Sequence, residues 1–195
     1  MMMSRIIPAL VIIALLSGCG HSQLSPREIT NACTILQQRS DFKRAFRAAE
    51  RKWGVPVHVQ MATIYQESKF KGNARPPIRW AFGIIPLGRP STAYGYSQAL
   101  DGTWDEYRKE RKRRFASRTN IRDSADFIGW YMYKSHRQLG IPLNDARNQY
   151  LAYHEGRAGY KKRSYRSKGW LVQVAKDVAA RSATYKTQIG NCRRI

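Results

Sequence analysis

Acidic residues are scarce in this chain of 195 residues: 13 Asp and Glu stand against 35 Lys and Arg, which gives a formal net charge of +22. A basic excess of this size favours an anionic partner such as nucleic acid, a membrane surface or an anionic polymer, and argues against an ordinary neutral or acidic cytosolic protein. Apolar residues make up 43% of the sequence, too many for a disordered chain, and the length is that of one domain.

The one conspicuous apolar run, Ile6–Leu16, is too short to span a bilayer and has the length of a signal-peptide core. It ends in Leu16-Ser17-Gly18-Cys19, which resembles the lipobox of bacterial lipoproteins, where the cysteine is lipidated and becomes the new N-terminus. The resemblance predicts a signal peptide over residues 1–18 and a lipid on Cys19. Gly20 in place of Asp implies sorting to the outer membrane, facing the periplasm. An ordinary secretion signal with an incidental cysteine is the alternative.

Cysteine is also rare, and beyond Cys19 the chain has only Cys33 and Cys192. Two free thiols would be unusual in an oxidising periplasm, and the termini of a domain are often close in space. We therefore expect a Cys33–Cys192 disulfide, with two buried or reactive thiols as the alternative. The four histidines are far apart in sequence and form no cluster with zinc-ligand spacing, so we expect no metal and no cofactor.

Strand-like alternation is scarce, whereas helical periodicity recurs along the chain and predicts an all-α domain. We interpret residues 19–40 as a tether and N-terminal segment and residues 41–195 as the folded domain. The first helix begins at Asp41 and stops at Gly54, and the second carries Glu67 near its C-terminal end. The pattern predicts further helices over residues 101–114, 121–139, 144–155 and 168–187.

Residues 71–93 break the helical periodicity, because prolines and glycines recur throughout the segment. An irregular connection of this length is uncommon and is often functional. Large apolar side chains that are unusual in a solvated loop occur within it: Trp80, Phe82, Ile84 and Ile85. Because the loop joins Glu67 to Gly95, we expect it to border a functional groove, with these side chains over the groove or packed into the fold.

Three short motifs follow one another along the chain: Glu67-Ser68-Lys69-Phe70, Gly95-Tyr96-Ser97-Gln98 and Ala152-Tyr153-His154-Glu155-Gly156. Together they resemble the catalytic domain of the soluble lytic transglycosylases, which has a lysozyme-like fold. The corresponding family patterns are Glu-Ser-x-Phe at a helix end, Gly-Leu-Met-Gln and Ala-Tyr-Asn-Ala-Gly. The resemblance covers residues 41–188. The second and third motifs depart from the family pattern at residues 96, 97, 154 and 155, which indicates a divergent branch.

Glu67 is the candidate catalytic acid. Cleavage of a glycosidic bond needs a carboxyl group that is still protonated near neutral pH. Glu67 follows an apolar stretch and lies at a helix C-terminus, where desolvation and the helix dipole both disfavour the carboxylate. A surface glutamate paired with Lys69 or Lys71 is the alternative.

The resemblance implies a mechanism with this one carboxyl group. Glu67 protonates the oxygen between N-acetylmuramic acid and N-acetylglucosamine and then deprotonates the muramic acid C6 hydroxyl, which closes a 1,6-anhydro ring. It also implies a set of substrate-binding residues: Ser68, Gly95, Tyr96, Gln98 and Tyr153. A helix-end cap for Ser68 and polar packing for Gln98 and Tyr153 are the alternatives.

Glu155 takes the place of a small residue in the third motif. It follows Tyr153 by two positions, and residues two apart on a helix point to different sides. We therefore expect Glu155 to face away from Glu67 and to pair with Arg157 or with a lysine at 161–162. If Glu155 instead turns into the groove, the two carboxyls fit an inverting hydrolase.

Other functions remain open at this point. The departures in the motifs are compatible with a non-catalytic lipoprotein that binds peptidoglycan, and the charge alone is compatible with nucleic-acid binding. The export signal and the lack of a known pattern of base-stacking aromatics argue against nucleic acid. We expect glycan strands of peptidoglycan and the outer membrane as partners, and a monomeric protein.

Overall fold

Seven α-helices and one β-hairpin make up residues 24–192, the part of the chain that the computed structural model describes. The helices are α1 (Ala32–Gln38), α2 (Ser40–Trp53), α3 (Val57–Ser68), α4 (Asp101–Glu110), α5 (Ile121–Leu139), α6 (Ala146–Lys161) and α7 (Gly169–Gly190), with 3-10 turns at Glu28–Thr30 and Ser164–Ser167. Strands β1 (Arg79–Ala81) and β2 (Ile85–Gly88) pair antiparallel. The predicted all-α class is confirmed. The expected signal peptide and Cys19 lie outside the described residues.

Helix α3 occupies the centre of the fold and positions Glu67. It packs against α2, α5, α6 and α7, and eight of its twelve residues are buried. A helix surrounded in this way needs apolar residues on most of its faces, which the stretch Val57–Ile64 supplies. The helix stops where Lys69 and Phe70 both take a positive φ, so that Glu67 lies in its last turn.

Helices α2 and α5 form the closest helix pair. A Cβ added at Gly129 would lie 2.4 Å from the Trp53 ring, so only glycine permits this approach. Beside it, the Asp126 carboxylate accepts hydrogen bonds from Lys52 Nζ (2.7 Å), Trp53 Nε1 (2.9 Å) and the Tyr107 hydroxyl (2.7 Å). This network joins α2, α4 and α5. The predicted apolar face of α2 is buried throughout: Phe42, Phe46, Ala49 and Trp53.

The N-terminal segment is more structured than a tether. Helix α1 packs against α2 and α7, and its Ala32, Ile35 and Leu36 are buried. The predicted disulfide between Cys33 and Cys192 is present, with a Cα–Cα distance of 5.6 Å, and links α1 to the segment after α7. The folded unit therefore includes residues before 41, because three apolar residues and the disulfide attach this segment to the core.

The C-terminal ends of three helices differ from the sequence prediction, and α7 runs to Gly190, three residues past the predicted end. Helix α4 stops at Glu110, four residues before the predicted end. Helix α6 continues past residue 155 to Lys161 through a kink at Gly156, whose φ of 74° and ψ of 156° are not helical. Within residues 24–192, no helix combines the length and the hydropathy of a membrane span.

The loop after α3 contains the β-hairpin, and here the structure corrects the expected burial. Trp80, Phe82, Ile84 and Ile85 are all exposed. They neither cover a groove nor pack into the fold. The C-terminal part of the loop does border the cavity described below, through Ser91 and Ala93.

Candidate functional site

A cavity of about 470 Å³ brings the three sequence motifs together. Glu67 enters it from the last turn of α3, Gln98 from the turn before α4, and residues 153–156 from α6. Phe127 and Tyr131 of α5 add an aromatic wall. The cavity therefore combines one carboxyl group of the first motif with apolar and polar groups from three other elements.

The environment of Glu67 favours its protonated form. Desolvation by burial raises the pKa of the Glu67 carboxyl to about 7. A hydrogen bond with Tyr150 and the nearby charge of Lys69 act in the opposite direction but do not cancel the effect of burial. At neutral pH the group is thus poised between donor and acceptor, as general acid–base chemistry requires.

Tyr150 is a site residue that the sequence analysis missed. Its hydroxyl lies beside the Glu67 carboxyl, and burial followed by the charge of Glu67 raises the pKa of Tyr150. Tyr150 precedes Tyr153 by three positions, so both lie on one face of α6. This spacing of three residues is the sequence signal that could have identified Tyr150 as a site residue. Tyr153 is half-buried in the cavity, and its hydroxyl donates to the Ser97 carbonyl oxygen over 2.5 Å.

The second motif forms a tight turn beside Glu67. Gly95 has a φ of +78°, and a Cβ there would lie 2.1 Å from the Arg118 carbonyl oxygen. Gln98 has a φ of +48°, and its Nε2 donates to the carbonyl oxygens of Ala74 (2.9 Å) and Gly95 (2.8 Å). Both amide protons are used in this way, so the side chain is fixed and its oxygen is left as an acceptor at the cavity wall.

Sequence comparison places this architecture in a family. The family model described as the Transglycosylase SLT domain matches residues 7–192. The chain belongs to this family. No curated protein and no solved structure matches it. Membership implies a peptidoglycan substrate for the domain and accounts for the order of the three motifs.

Two of the expected binding residues lie away from the cavity of this SLT domain. Tyr96 is buried edge-on against Phe42, with ring centroids 5.6 Å apart, and its hydroxyl lies beside Arg39. Ser68 is buried and its hydroxyl donates to the Ile64 carbonyl oxygen over 3.2 Å. The structure therefore corrects the expected substrate contact at both residues to a packing role. Gly95 contributes through its backbone conformation rather than by lining the cavity.

Glu155 lines the SLT-domain cavity, contrary to the expectation that it faces away from Glu67. Residues 154, 155 and 156 all border the cavity, next to the kink of α6 at Gly156.

The cation that neutralises Glu155 is Lys168, whose Nζ lies 2.8 Å and 3.1 Å from the two carboxylate oxygens. The Ser164 hydroxyl also donates to this carboxylate. The bonds from Lys168, and then from Ser164, lower the pKa of Glu155 to about 2. The expected partner Arg157 instead lies 3.4 Å from Glu106. Within residues 24–192, no three His, Cys, Asp or Glu side chains lie close enough together to hold a metal ion.

Proposed function

We propose that this SLT domain is a lytic transglycosylase that cleaves the β-1,4 bond between N-acetylmuramic acid and N-acetylglucosamine, with Glu67 as its one catalytic carboxyl group. The observation that carries the proposal is the position of Glu67 in the cavity, with its pKa raised to about 7 by burial. Among the described carboxyls that line this cavity, Glu67 is the one without a cation in contact with its oxygens.

The reaction needs two proton transfers, one from Glu67 to the substrate and one from the substrate to Glu67. Protonated Glu67 donates to the glycosidic oxygen as the bond from C1 to that oxygen breaks. The resulting carboxylate accepts the proton of the C6 hydroxyl, whose oxygen bonds to C1 and forms the 1,6-anhydro ring. Glu67 ends protonated, so the cycle balances. A pKa near 7 suits both halves, and the intramolecular attack removes the need to hold a water molecule.

The residues around Glu67 have separate roles in this proposal. Tyr150 donates to the carboxylate that forms after the first proton transfer. Tyr153 fixes the Gly95–Gln98 turn through the Ser97 carbonyl group. The oxygen of the Gln98 amide is available to accept a hydrogen bond from the N-acetyl N–H of the sugar.

A hydrolase with two carboxyls is the second candidate, because Glu155 lines the same cavity as Glu67. Such an enzyme would use Glu155 as the base that activates water. Both oxygens of Glu155 already accept hydrogen bonds from Lys168, and a carboxylate with a pKa of about 2 is a weak base. These contacts favour the lyase reaction.

Digestion of purified peptidoglycan, followed by mass analysis of the products, tests the proposal. Wild-type protein should release muropeptides with anhydro ends, and Glu67→Gln should release none while its circular dichroism spectrum is unchanged. Asp177→Asn, at an exposed carboxyl of α7, is the control and should behave like wild type. Products with reducing ends would establish the hydrolase. Binding of glycan strands without any release by wild-type protein would establish a non-catalytic binding protein.

We also propose that a lipid on Cys19 holds the protein in the outer membrane, with the domain in the periplasm. The Leu16–Cys19 motif supports the lipid, and the Cys33–Cys192 disulfide fits an oxidising compartment. Cys19→Ala should leave the protein soluble or unprocessed in cell fractionation. Gly20→Asp should move it to the inner membrane, whereas the control Gly20→Ala should not. An unchanged distribution of Cys19→Ala would contradict lipidation.

A further inference from the structure

The β-hairpin after α3 carries a concentrated exposed apolar surface. Large apolar side chains of residues 78–87 are between 39% and 93% exposed: Ile78, Trp80, Phe82, Ile84, Ile85 and Leu87. Isolated apolar residues at a protein surface are ordinary, but a contiguous group of this kind marks a surface that binds a protein, a membrane or a ligand. The Glu67 site does not use this surface, since the cavity meets the loop only at Ser91 and Ala93.

The apolar side chains cover both faces of the hairpin. The register pairs Ala81 with Ile85 and Trp80 with Pro86. Because side chains alternate along a strand, Ile85 and Leu87 share one face and Trp80 lies on the other, while Phe82 and Ile84 flank the tip. A flat protein surface would cover one face and leave the other in water. A lipid layer surrounds an inserted tip on both faces.

Charge identifies the kind of lipid. No acidic residue lies between Glu67 and Asp101, and five cations do: Lys69, Lys71, Arg75, Arg79 and Arg89. Arg79 pairs with Gly88 at the open end of the hairpin, and the Arg89 guanidinium donates to the Pro76 carbonyl oxygen at the same end. Two cations, Arg79 and Arg89, therefore stand at the base of an apolar tip, an arrangement that matches the anionic headgroups and apolar chains of a phospholipid surface.

We propose that this hairpin inserts its tip into a membrane that contains anionic phospholipid, with Arg79 and Arg89 at the level of the phosphates. A strand rises about 3.3 Å per residue, so Phe82 lies about 10 Å beyond Arg79. That reach corresponds to the depth at which interfacial segments bury apolar side chains, about 5–10 Å. The hairpin is a membrane contact of the folded domain, separate from any lipid on Cys19.

Quenching of Trp80 fluorescence tests the insertion in the full-length chain. The five tryptophans are at positions 53, 80, 104, 130 and 170, so the first 52 residues contribute no signal. The probe is vesicles of phosphatidylcholine and phosphatidylglycerol with brominated acyl chains, which quench only tryptophans that reach the chains. Part of the tryptophan emission of wild-type protein should be quenched, and this quenching should be absent in Trp80→Phe. The control is Trp170→Phe, which removes an exposed tryptophan outside the hairpin and should be quenched like wild type.

A second variant separates insertion from attraction by charge, because the net charge of +22 brings the protein to anionic vesicles in any case. Phe82→Ser/Ile84→Ser keeps Trp80 and every cation, so it should still sediment with the vesicles while Trp80 quenching is lost. Vesicles of phosphatidylcholine alone should give weaker quenching. Glu67→Gln should be quenched like wild type, which makes the result independent of catalysis.

Three outcomes would overturn the proposal. Quenching that survives Trp80→Phe and is lost in Trp170→Phe would place the membrane contact at α7. An unquenched Trp80 in protein bound to the vesicles would show that the tip stays outside the lipid. A Trp80 emission shift that appears only with purified glycan strands would make the hairpin a glycan-binding element.

Discussion

Glu67 and Glu155 line the same cavity, but the pKa values of their carboxyl groups are shifted in opposite directions. Burial raises the pKa of Glu67 to about 7, whereas the bonds from Lys168 and Ser164 lower the pKa of Glu155 to about 2. Two carboxyls with such different environments have different roles. The contacts of Glu155 with Ser164 and Lys168 join the kink of α6 to the segment before α7.

Glu155→Gln is expected to retain the lyase reaction. The amide keeps the shape of the side chain and can still accept from Lys168, so activity should fall by less than about tenfold, or about 1.4 kcal/mol of transition-state stabilisation. Steady-state release of anhydro-muropeptides measures this. Complete loss of activity, together with reducing ends among the wild-type products, would assign Glu155 to catalysis.

Tyr150→Phe is expected to shift the pH profile of kcat/KM. The free enzyme needs protonated Glu67, so activity falls as pH rises through about 7. The hydrogen bond with Tyr150 lowers the pKa of Glu67, and its removal should move this alkaline limb to higher pH. Tyr133→Phe, at an exposed tyrosine of α5, is the control and should leave the limb in place. An unshifted limb in Tyr150→Phe would exclude this role for the hydroxyl.

Glu67 is also expected to make the fold less stable at high pH. Its pKa is about 7 in the folded chain and 4.5 in the reference state, so the folded form binds more protons between these values. Stability should therefore fall as pH rises from about 4.5 to 7, by at most about 3 kcal/mol from this group. Chemical denaturation at pH 5 and pH 8 should show that Glu67→Gln removes this part of the pH dependence.

The control for that experiment is Asp177→Asn, at an exposed carboxyl of α7. It should keep the wild-type difference in unfolding free energy between the two pH values. If Glu67→Gln and wild-type protein lose stability equally between pH 5 and pH 8, the Glu67 carboxyl is not desolvated in the folded chain.

Removal of the disulfide is expected to destabilise the whole domain. Cys33 and Cys192 are 159 residues apart, and a bridge over a loop of this length contributes up to about 5 kcal/mol in the chain-entropy model. Cys33→Ser/Cys192→Ser should lower the melting temperature, and wild-type protein with reductant should match it. A melting temperature that neither treatment changes would show that α1 is held by packing alone.

The sequence alone determined the helical class, most helix positions and the place of Glu67 near the end of α3. These features depend on local information: the apolar faces of α2 and α5 repeat at helical spacing, Gly54 and Gly140 end those helices with positive φ, and Glu67 follows the apolar stretch of α3. The disulfide could be predicted as well, because Cys33 and Cys192 were the two cysteines left for a bridge.

Only the tertiary structure decided which side chains surround Glu67. Tyr150 reaches Glu67 from 83 positions along the chain, and Tyr96 turns towards Arg39 rather than the cavity. Glu155 borders the cavity next to Gly156, whose departure from the helical conformation a periodic pattern does not encode. The exposure of the hairpin was likewise decided by the tertiary structure. Apolar composition favours burial, but whether another element is present to cover Trp80 and Phe82 depends on how the helices pack.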